Sequence, residues 1–412
     1  MVFIRLAIRN VLRNKRRTFL VILIMAVGLG SMIFMDGVLR GITHELFRSS
    51  TDNFLGHGQI HAEGFRDQFE VSKTIHNVDS LTAKLKRSVE ISDFTVRTQS
   101  FSMISSSVDS IPVMLVGVDT KTEKTVSQIH NYISEGEYLS FKDDPSLDQQ
   151  IVIGNKLADR LEVSLGDRLV LTASRAGDGE MVQELFRVSG IFHSTIKELD
   201  ESMSFININK AQAVLGIQDR IHQVAVRIHK KFNTEKQAEQ FWSQFSVDRN
   251  ESLGWQKLLP GLSAMLKMTS YNNLIMGTIL FFVISLGFMN AVFMSIYERV
   301  FEFGVLKSIG TRPLQLMSLI FLEVLVVSLM SVFVGLVLGL GVNYYFSIQG
   351  LNWFSGVDMA EATMQNTVYP QLGVIQYTFF PSVVVLLSLM ITIYPALYVY
   401  RLKPTKALKK TL

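Results

Sequence analysis

Cysteine is absent from the 412 residues. That excludes a disulfide framework and lipid attachment at an N-terminal cysteine, and it leaves the compartment open. Charge is scarce, at 18% against 48% hydrophobic residues and a mean hydropathy of +0.27. Such a chain is too apolar for an ordinary soluble domain and too charged to lie wholly within a membrane, so it reads as part membrane and part water. No G-x-x-x-x-G-K-[ST] phosphate loop occurs. The nearest fragment, Gly154-Asn155-Lys156, lacks the spacing and the following hydroxyl, so any ATP chemistry would come from another chain. There is no internal repeat and no low-complexity linker.

What the chain does contain is four apolar runs, at residues 18–38, 274–296, 316–346 and 377–400. Each reaches the roughly 20 residues that span a hydrocarbon core. The stretch before the first run carries Arg5, Arg9, Arg13, Lys15, Arg16 and Arg17, and the stretch after the last carries Arg401, Lys403, Lys406, Lys409 and Lys410, both without an acid. By the positive-inside rule both ends are cytosolic. Residues 347–376 hold Asp358 and Glu361 but no Lys or Arg, as expected of a loop on the far side. The net charge of +4 therefore needs no nucleic acid, because the excess sits beside an anionic leaflet. A cleaved signal peptide is the competing reading of the N-terminus, since Gly28, Gly30 and Ser31 are small. The run of about 21 residues exceeds the usual apolar core of roughly 7 to 15, which favours a retained helix.

The expected fold is an α-helical membrane protein with four transmembrane helices and a large extracytoplasmic α+β domain inserted between helices 1 and 2. Residues 1–17 form a cytosolic tail, 39–273 the domain with helical stalks, 297–315 a cytosolic loop, 347–376 an extracytoplasmic loop and 401–412 a second cytosolic tail. Within the domain, 151–153, 168–173, 184–192, 202–208 and 221–228 read as strands. In the last of these Val224, Val226 and Ile228 alternate with Ala225 and Arg227. Residues 155–161 read as a helix burying Leu157 and Leu161, and Gly177-Asp178-Gly179 as a hairpin tip. A helix over 233–245, capped by Asn233 or Thr234, turns Phe241, Trp242 and Phe245 to a core.

The short segment between the second and third runs is the most informative. Val300, Phe301, Val305, Leu306 and Ile309 supply apolar surface beside Glu298, Arg299, Glu302 and Lys307, which predicts an interfacial helix. Gly310 offers a stop, and Thr311 with Pro313 a restart. Glu323 lies inside the third run, where a carboxylate is costly and usually partnered. It is expected either to sense the helix arrangement or to pair with Arg299, Lys307 or Arg312.

Other candidates read blandly. His57 and His61 have metal-ligand spacing, but Gly56 and Gly58 bracket the first and 59–62 reads as a strand, so no metal site is expected. His193, Ser194 and Asp200 lack a nucleophile elbow, and no catalytic residue is expected. Tyr344, Tyr345, Tyr398 and Tyr400 suit helix ends at an interface, and Gly335, Gly339 and Gly341 permit close helix contact within the subunit or across a dimer.

Five segments together resemble the permease subunits of ABC transporters of the LolC/LolE, MacB and FtsX type. They are ERVFEFGVLKSIGTRP with FLE, LAIRNVLRNKRRTFL, IGNKLADRLEVSLGD with FRVSGIF, YPALYVYRLKPTKALK, and GHGQIHAEGF, the last leaning toward the LolC/LolE branch. The resemblance implies a multi-pass protein of the bacterial inner membrane, paired with a second permease, identical or paralogous, and with a cytosolic ATPase dimer. ATP and Mg would sit in that partner and no cofactor in this chain. The fused MacB proteins carry their ATPase before the first helix, where this chain has fewer than about 20 residues, so a separate ATPase is expected.

In those terms Glu298, Arg299, Glu302, Phe303, Gly304, Val305, Leu306, Lys307, Ile309 and Gly310 belong to a coupling helix that docks on the ATPase. The leading expectation is ATP-driven release of a lipoprotein or similar amphiphile to an extracytoplasmic acceptor. The alternatives are a MacB-like efflux permease, an FtsX-like regulator of cell-wall hydrolases, or a passive membrane tether.

Overall fold

The computed structural model describes residues 2–140, 149–194, 196–229, 232, 234–352, 358–359, 362–363 and 367–402. Asn233, Glu361, Lys403, Lys406, Lys409 and Lys410 lie outside the described residues. The chain divides into two compact units. One comprises Met1–His44, Lys267–Phe354 and Asn366–Leu412, and the other Glu45–Leu266 with Ser355–Gln365.

The first unit is helical. Its elements are α1 (Val2–Arg13), α2 (Lys15–Ser50), α3 (Pro260–Glu298), α4 (Val300–Ser308), α5 (Pro313–Gln349) and α6 (Val374–Arg401), with α2 and α3 contributing to both units. Four of them, α2, α3, α5 and α6, are long and apolar enough to cross a membrane. Their inward residues form one core that includes Leu29, Ile33, Phe288, Val292, Ile320 and Val384. Phe19, Phe282, Phe333 and Phe379 stay exposed, a surface that water would not tolerate over this extent and lipid would. Helix α5 comes backbone to backbone with α2, because a Cβ on Gly339 would stand 2.9 Å from the Cα of Gly30. Gly335 faces the same helix, whereas Gly341 has open space around it. Of the three glycines, two thus serve contact within the chain.

Residues 1–17, expected as a cytosolic basic tail, carry a helix that the sequence reading did not specify. Arg5, Arg9 and Arg13 recur every four residues and are exposed, while Ala7 and Val11 are buried as α1 packs on α5, so the segment is an amphipathic helix.

The second unit is built on a ten-stranded sheet. In chain order its strands are β1 (Gly58–Ala62), β2 (Ile91–Ser105), β3 (Ser110–Val118), β4 (Ile133–Gly136), β5 (Gln150–Gly154), β6 (Arg168–Ser174), β7 (Met181–Phe192), β8 (Met203–Asn207), β9 (Gln223–Ile228) and β10 (Asn250–Gly254). They are ordered β10-β1-β9-β2-β3-β8-β5-β7-β4, and β6 pairs with both β2 and β7. The β6–β7 hairpin turns at Gly177 and Gly179, both at positive φ, a conformation that favours glycine.

Helices Asn155–Leu161 and Ile208–Leu215 cover one part of the sheet through Leu157, Leu161, Ala211 and Leu215. Helices Val78–Arg87 and Glu235–Ser243 cover another through Leu81, Leu85, Phe241 and Trp242. Thr234 caps the second of these by accepting from Gln237 N. The expected alternation along β9 does not hold, since Arg227 and Ile228 are both half-buried. Gln223 to Val226 are all buried, because β9 lies between β1 and β2 with both faces covered.

Candidate functional site

Helix α4 is short because its ends are punctuated. Arg299 interrupts the helix after α3, and Gly310, at φ +99°, stops it before Pro313 opens α5. Val300, Phe303, Gly304 and Lys307 are spaced i, i+3, i+4, i+7 and turn inward, the first three buried. The opposite side presents Phe301, Val305 and Leu306, with Ile309 just beyond the last turn at 77% exposure. The sequence reading had Val300, Phe301, Val305, Leu306 and Ile309 together supplying the apolar surface of an interfacial helix. They divide, because the bundle claims one stripe and leaves a second apolar stripe uncovered.

The inward side is held by charge. Arg299 Nη1 donates to Glu323 Oε2 at 2.7 Å and its Nε to Glu302 Oε2 at 3.0 Å. Asn10 donates to the other Glu323 oxygen at 2.6 Å, Arg13 pairs with Glu302, and Arg17 with Glu298 at 2.7 Å. Of the three partners expected for Glu323, the structure selects Arg299. Burial opposes the charge on Arg299, but the hydrogen bonds and charge of Glu323 and then Glu302 outweigh it and raise the guanidinium above its ordinary value. Burial likewise opposes Glu302, yet Arg299 and Arg13 hold its carboxyl below the usual range. Lys307 works differently, donating to Leu402 O at 2.7 Å and Tyr400 O at 2.8 Å. It caps carbonyls at the C-terminus of α6 from outside that helix.

A second polar cluster lies among α2, α5 and α6. Gln376 donates to Asp36 at 2.9 Å, Arg40 pairs with Asp36 at 2.6 Å, and Asn343 donates to Ile33 O at 3.2 Å. Asn343 and Gln376 are fully buried. Neither was singled out from the sequence, although an amide within a long apolar run is a signal of a buried partner.

In the second unit the end of α2 is gripped by the domain. The turn that continues it, Thr51–Leu55, is a π-helix. Asn53 accepts from Ser127 at its backbone and from Tyr132 at its side chain, both at 2.9 Å. Phe54 lies beneath the guanidinium of Arg97, 4.0 Å from its ring, and Arg97 is locked to Glu123 by two hydrogen bonds of 2.9 and 2.7 Å. Phe47 meets Trp255, just ahead of α3, edge-on at 5.1 Å.

The discounted candidates other than His61 have hydrogen-bond partners within the domain. His57 accepts from Ile228 N at 3.1 Å, and His61 sits four residues further on, about 13 Å along an extended chain, too far to share an ion. No group of three His, Cys, Asp or Glu that could hold a metal occurs among the described residues. Asp200 collects both His193 Nδ1 at 2.9 Å and Ser194 N at 2.8 Å, but Ser194 Oγ donates to Ile196 O, so no hydroxyl addresses the imidazole.

The family model of the MacB-like periplasmic core domain matches residues 18–242, more than half the chain, and that of the FtsX-like permease C-terminal matches 274–404. The chain belongs to the ABC transporter permeases of the LolC/LolE, MacB and FtsX type. It is 24% identical over 319 residues to the lipoprotein-releasing system transmembrane protein LolC of Xylella fastidiosa, covering 72% of this chain and 73% of that one. It is 23% identical over 360 residues to LolE of Haemophilus influenzae, with 84% of each chain covered. The periplasmic region of MacB from Actinobacillus actinomycetemcomitans aligns over 49% of this chain and 89% of its own, at 16% identity and a TM-score of 0.34. The two family models, the likeness to LolC and LolE and the four membrane-length helices make the chain a multi-pass permease of the inner membrane with a periplasmic domain.

Proposed function

We propose that this permease couples ATP hydrolysis by a separate cytosolic ATPase dimer to motion of its periplasmic domain, releasing lipoproteins or similar amphiphiles from the inner membrane. A second permease subunit completes the assembly, and an extracytoplasmic acceptor takes the substrate. The observation that carries this reading is the division of α4, with one stripe fixed to α5 and α6 and the other presenting Phe301, Leu306 and Ile309 unburied. A helix braced on its inner side and apolar on its outer side suits rigid transmission of a push. The likeness to LolC and LolE supports lipoprotein release as the task. The MacB-like domain match favours export of a small amphiphile as the second reading.

In this arrangement both tails and residues 297–315 face the cytosol, and the continuous helix α2 carries movement toward its π-helical end. Gly304 and Phe303 serve the bundle side, and docking falls to Phe301, Val305, Leu306, Ile309 and the charges of Glu298 and Glu302. The test is copurification of a cytosolic ABC ATPase with this permease from its own cells. Ile309→Asp with Phe301→Asp should lower its recovery at least tenfold while leaving membrane insertion intact. Undiminished recovery and ATP turnover in the double variant would overturn the assignment.

A further inference from the structure

The outer side of α1 is a row of exposed cations. Arg5 and Arg9 lie on the side of the helix opposite the buried Ala7 and Val11, and Lys15 and Arg16, the first residues of α2, continue the row just before the apolar run that begins at Thr18. Residues 1–17 hold no acid. Arg13 is committed to Glu302 and Arg17 to Glu298, whereas Arg5, Arg9, Lys15 and Arg16 make no ion pair or hydrogen bond among the described residues. The depth at which α1 lies decides what these charges meet. Asn10, toward the end of α1, donates to Glu323, and Arg17 donates to Ala291 O, so the segment is held beside α5 and α3 within their apolar runs. From Glu323 to the end of its run at residue 346, α5 has about 23 residues left, or roughly 35 Å at about 1.5 Å per residue. The hydrocarbon core is only about 30 Å thick, so that remainder crosses it unaided and leaves Glu323, and α1 with it, at the level of the head groups. Leu6, on the flank of the row, is 40% exposed and suits the boundary between head groups and acyl chains.

We propose that the row formed by Arg5, Arg9, Lys15 and Arg16 binds the head groups of anionic phospholipids and gathers them around the permease in preference to zwitterionic ones. Phosphate is common to both lipid classes, but only a head group of net negative charge gains from four uncompensated cations. Each lysine or arginine near an anionic surface strengthens binding about fivefold, and salt weakens the effect. An acidic protein surface is the rival occupant. Lys15 and Arg16 argue against it, because they adjoin the first residues of a membrane span, where lipid phosphates are the anions within a side chain's reach. Lipid binding at α1 needs neither an ATPase nor a substrate.

For the test, Leu6 in the full-length protein is replaced by the photocrosslinking residue benzoylphenylalanine, and the protein is reconstituted in nanodiscs of equal parts phosphatidylglycerol and phosphatidylcholine. Lipid adducts are counted by mass spectrometry after irradiation. Phosphatidylglycerol adducts should exceed phosphatidylcholine adducts by about fivefold or more. The same residue placed at Phe379, exposed on the surface of α6, should report the even mixture. Arg5→Gln, Arg9→Gln, Lys15→Gln and Arg16→Gln combined should bring the ratio at Leu6 to about one, and salt at about 0.5 M should lower it in the parent protein. Glutamine keeps helix propensity and none of the four side chains has a bond to lose, so the variant should fold, with circular dichroism and unchanged adducts at Phe379 as the check. An even ratio at Leu6, or a preference that survives in the quadruple variant, would overturn the proposal. So would irradiation in intact cells that joins Leu6 to an acidic protein in place of lipid. Both leaflets of the nanodisc carry the same lipids and no ATPase is present, so failure here is separate from failure of the coupling assignment or of the cytosolic orientation.

Discussion

Arg299 and Glu323 meet at 2.7 Å with side chains only 10% and 14% exposed, joining the residue that opens α4 to a carboxylate inside α5. Because Glu323 also accepts from Asn10 and Arg299 also donates to Glu302, the pair ties α1, α4 and α5 into one polar knot. A displacement of α4 therefore reaches α5 through strong, short-range bonds.

Removing one member should cost more than removing both. Glu323→Leu leaves Arg299 partly buried beside Glu302 alone, and the expected loss is roughly 2 to 4 kcal/mol, somewhat below the 3 to 5 typical of fully buried pairs. Arg299→Met with Glu323→Leu should recover at least half of that. Thermal unfolding of the detergent-solubilised variants in a double-mutant cycle gives the answer, and strictly additive losses would mean that the pair is not coupled.

Two glycines on α5 should behave oppositely. A side chain at Gly339 meets the backbone of Gly30, so Gly339→Leu forces α2 and α5 apart at a cost of about 1 to 3 kcal/mol. Gly341→Leu enters open space and should change stability by less than about 0.5 kcal/mol. If Gly341→Leu instead lowers recovery of the permease pair without altering monomer unfolding, Gly341 faces the second subunit.

The long apolar runs were legible because twenty consecutive apolar residues have few soluble alternatives, and α4 was legible because Gly310 and Pro313 punctuate it. What the sequence did not reveal was which stripe of α4 turns inward. That is decided by α5 and α6, whose Glu323 and helix-end carbonyls claim Arg299 and Lys307. Helix α1 was readable in principle from the four-residue recurrence of Arg5, Arg9 and Arg13, but a basic run before a membrane span has the same charge signature whether or not it is helical. The long β2–β3 hairpin escaped because β2 is rich in Ser and Thr and buried at Thr98, Gln99 and Ser100, which defeats an apolar alternation test.

Acid should weaken the periplasmic domain through two histidines. Burial pushes His61 down to about 3 and His222 to about 4, in surroundings that also hold Arg66, Arg97 and Arg220. Both folded values lie below the unfolded value near 6.5, so the unfolded chain binds more protons between them. Stability is then complete above about pH 6.5 and falls as the pH drops toward 4 and 3, by up to about 1.4 kcal/mol per unit for each group. Unfolding followed by tryptophan fluorescence should shift to lower temperature between pH 7.5 and pH 5, and His61→Phe should remove about half of the shift. An unchanged midpoint would mean that neither histidine is held neutral by folding.

Orientation can be tested cleanly because the chain has no cysteine to remove. Charge bias predicts that residues 297–315 lie on the cytosolic side and the Gly177-Asp178-Gly179 hairpin on the far side. Asp178 lies at the tip of that hairpin in the domain matched to a periplasmic core, and Ser308 is exposed at the end of α4, away from the bonds that hold its inner face. Single substitutions Asp178→Cys and Ser308→Cys should each fold normally, since neither touches a buried contact. In cells with only the outer barrier opened, a membrane-impermeant maleimide should label the first and spare the second. After the inner membrane is disrupted, both should react. Labelling of Ser308→Cys before disruption would invert the topology, and with it the placement of α4 against a cytosolic ATPase.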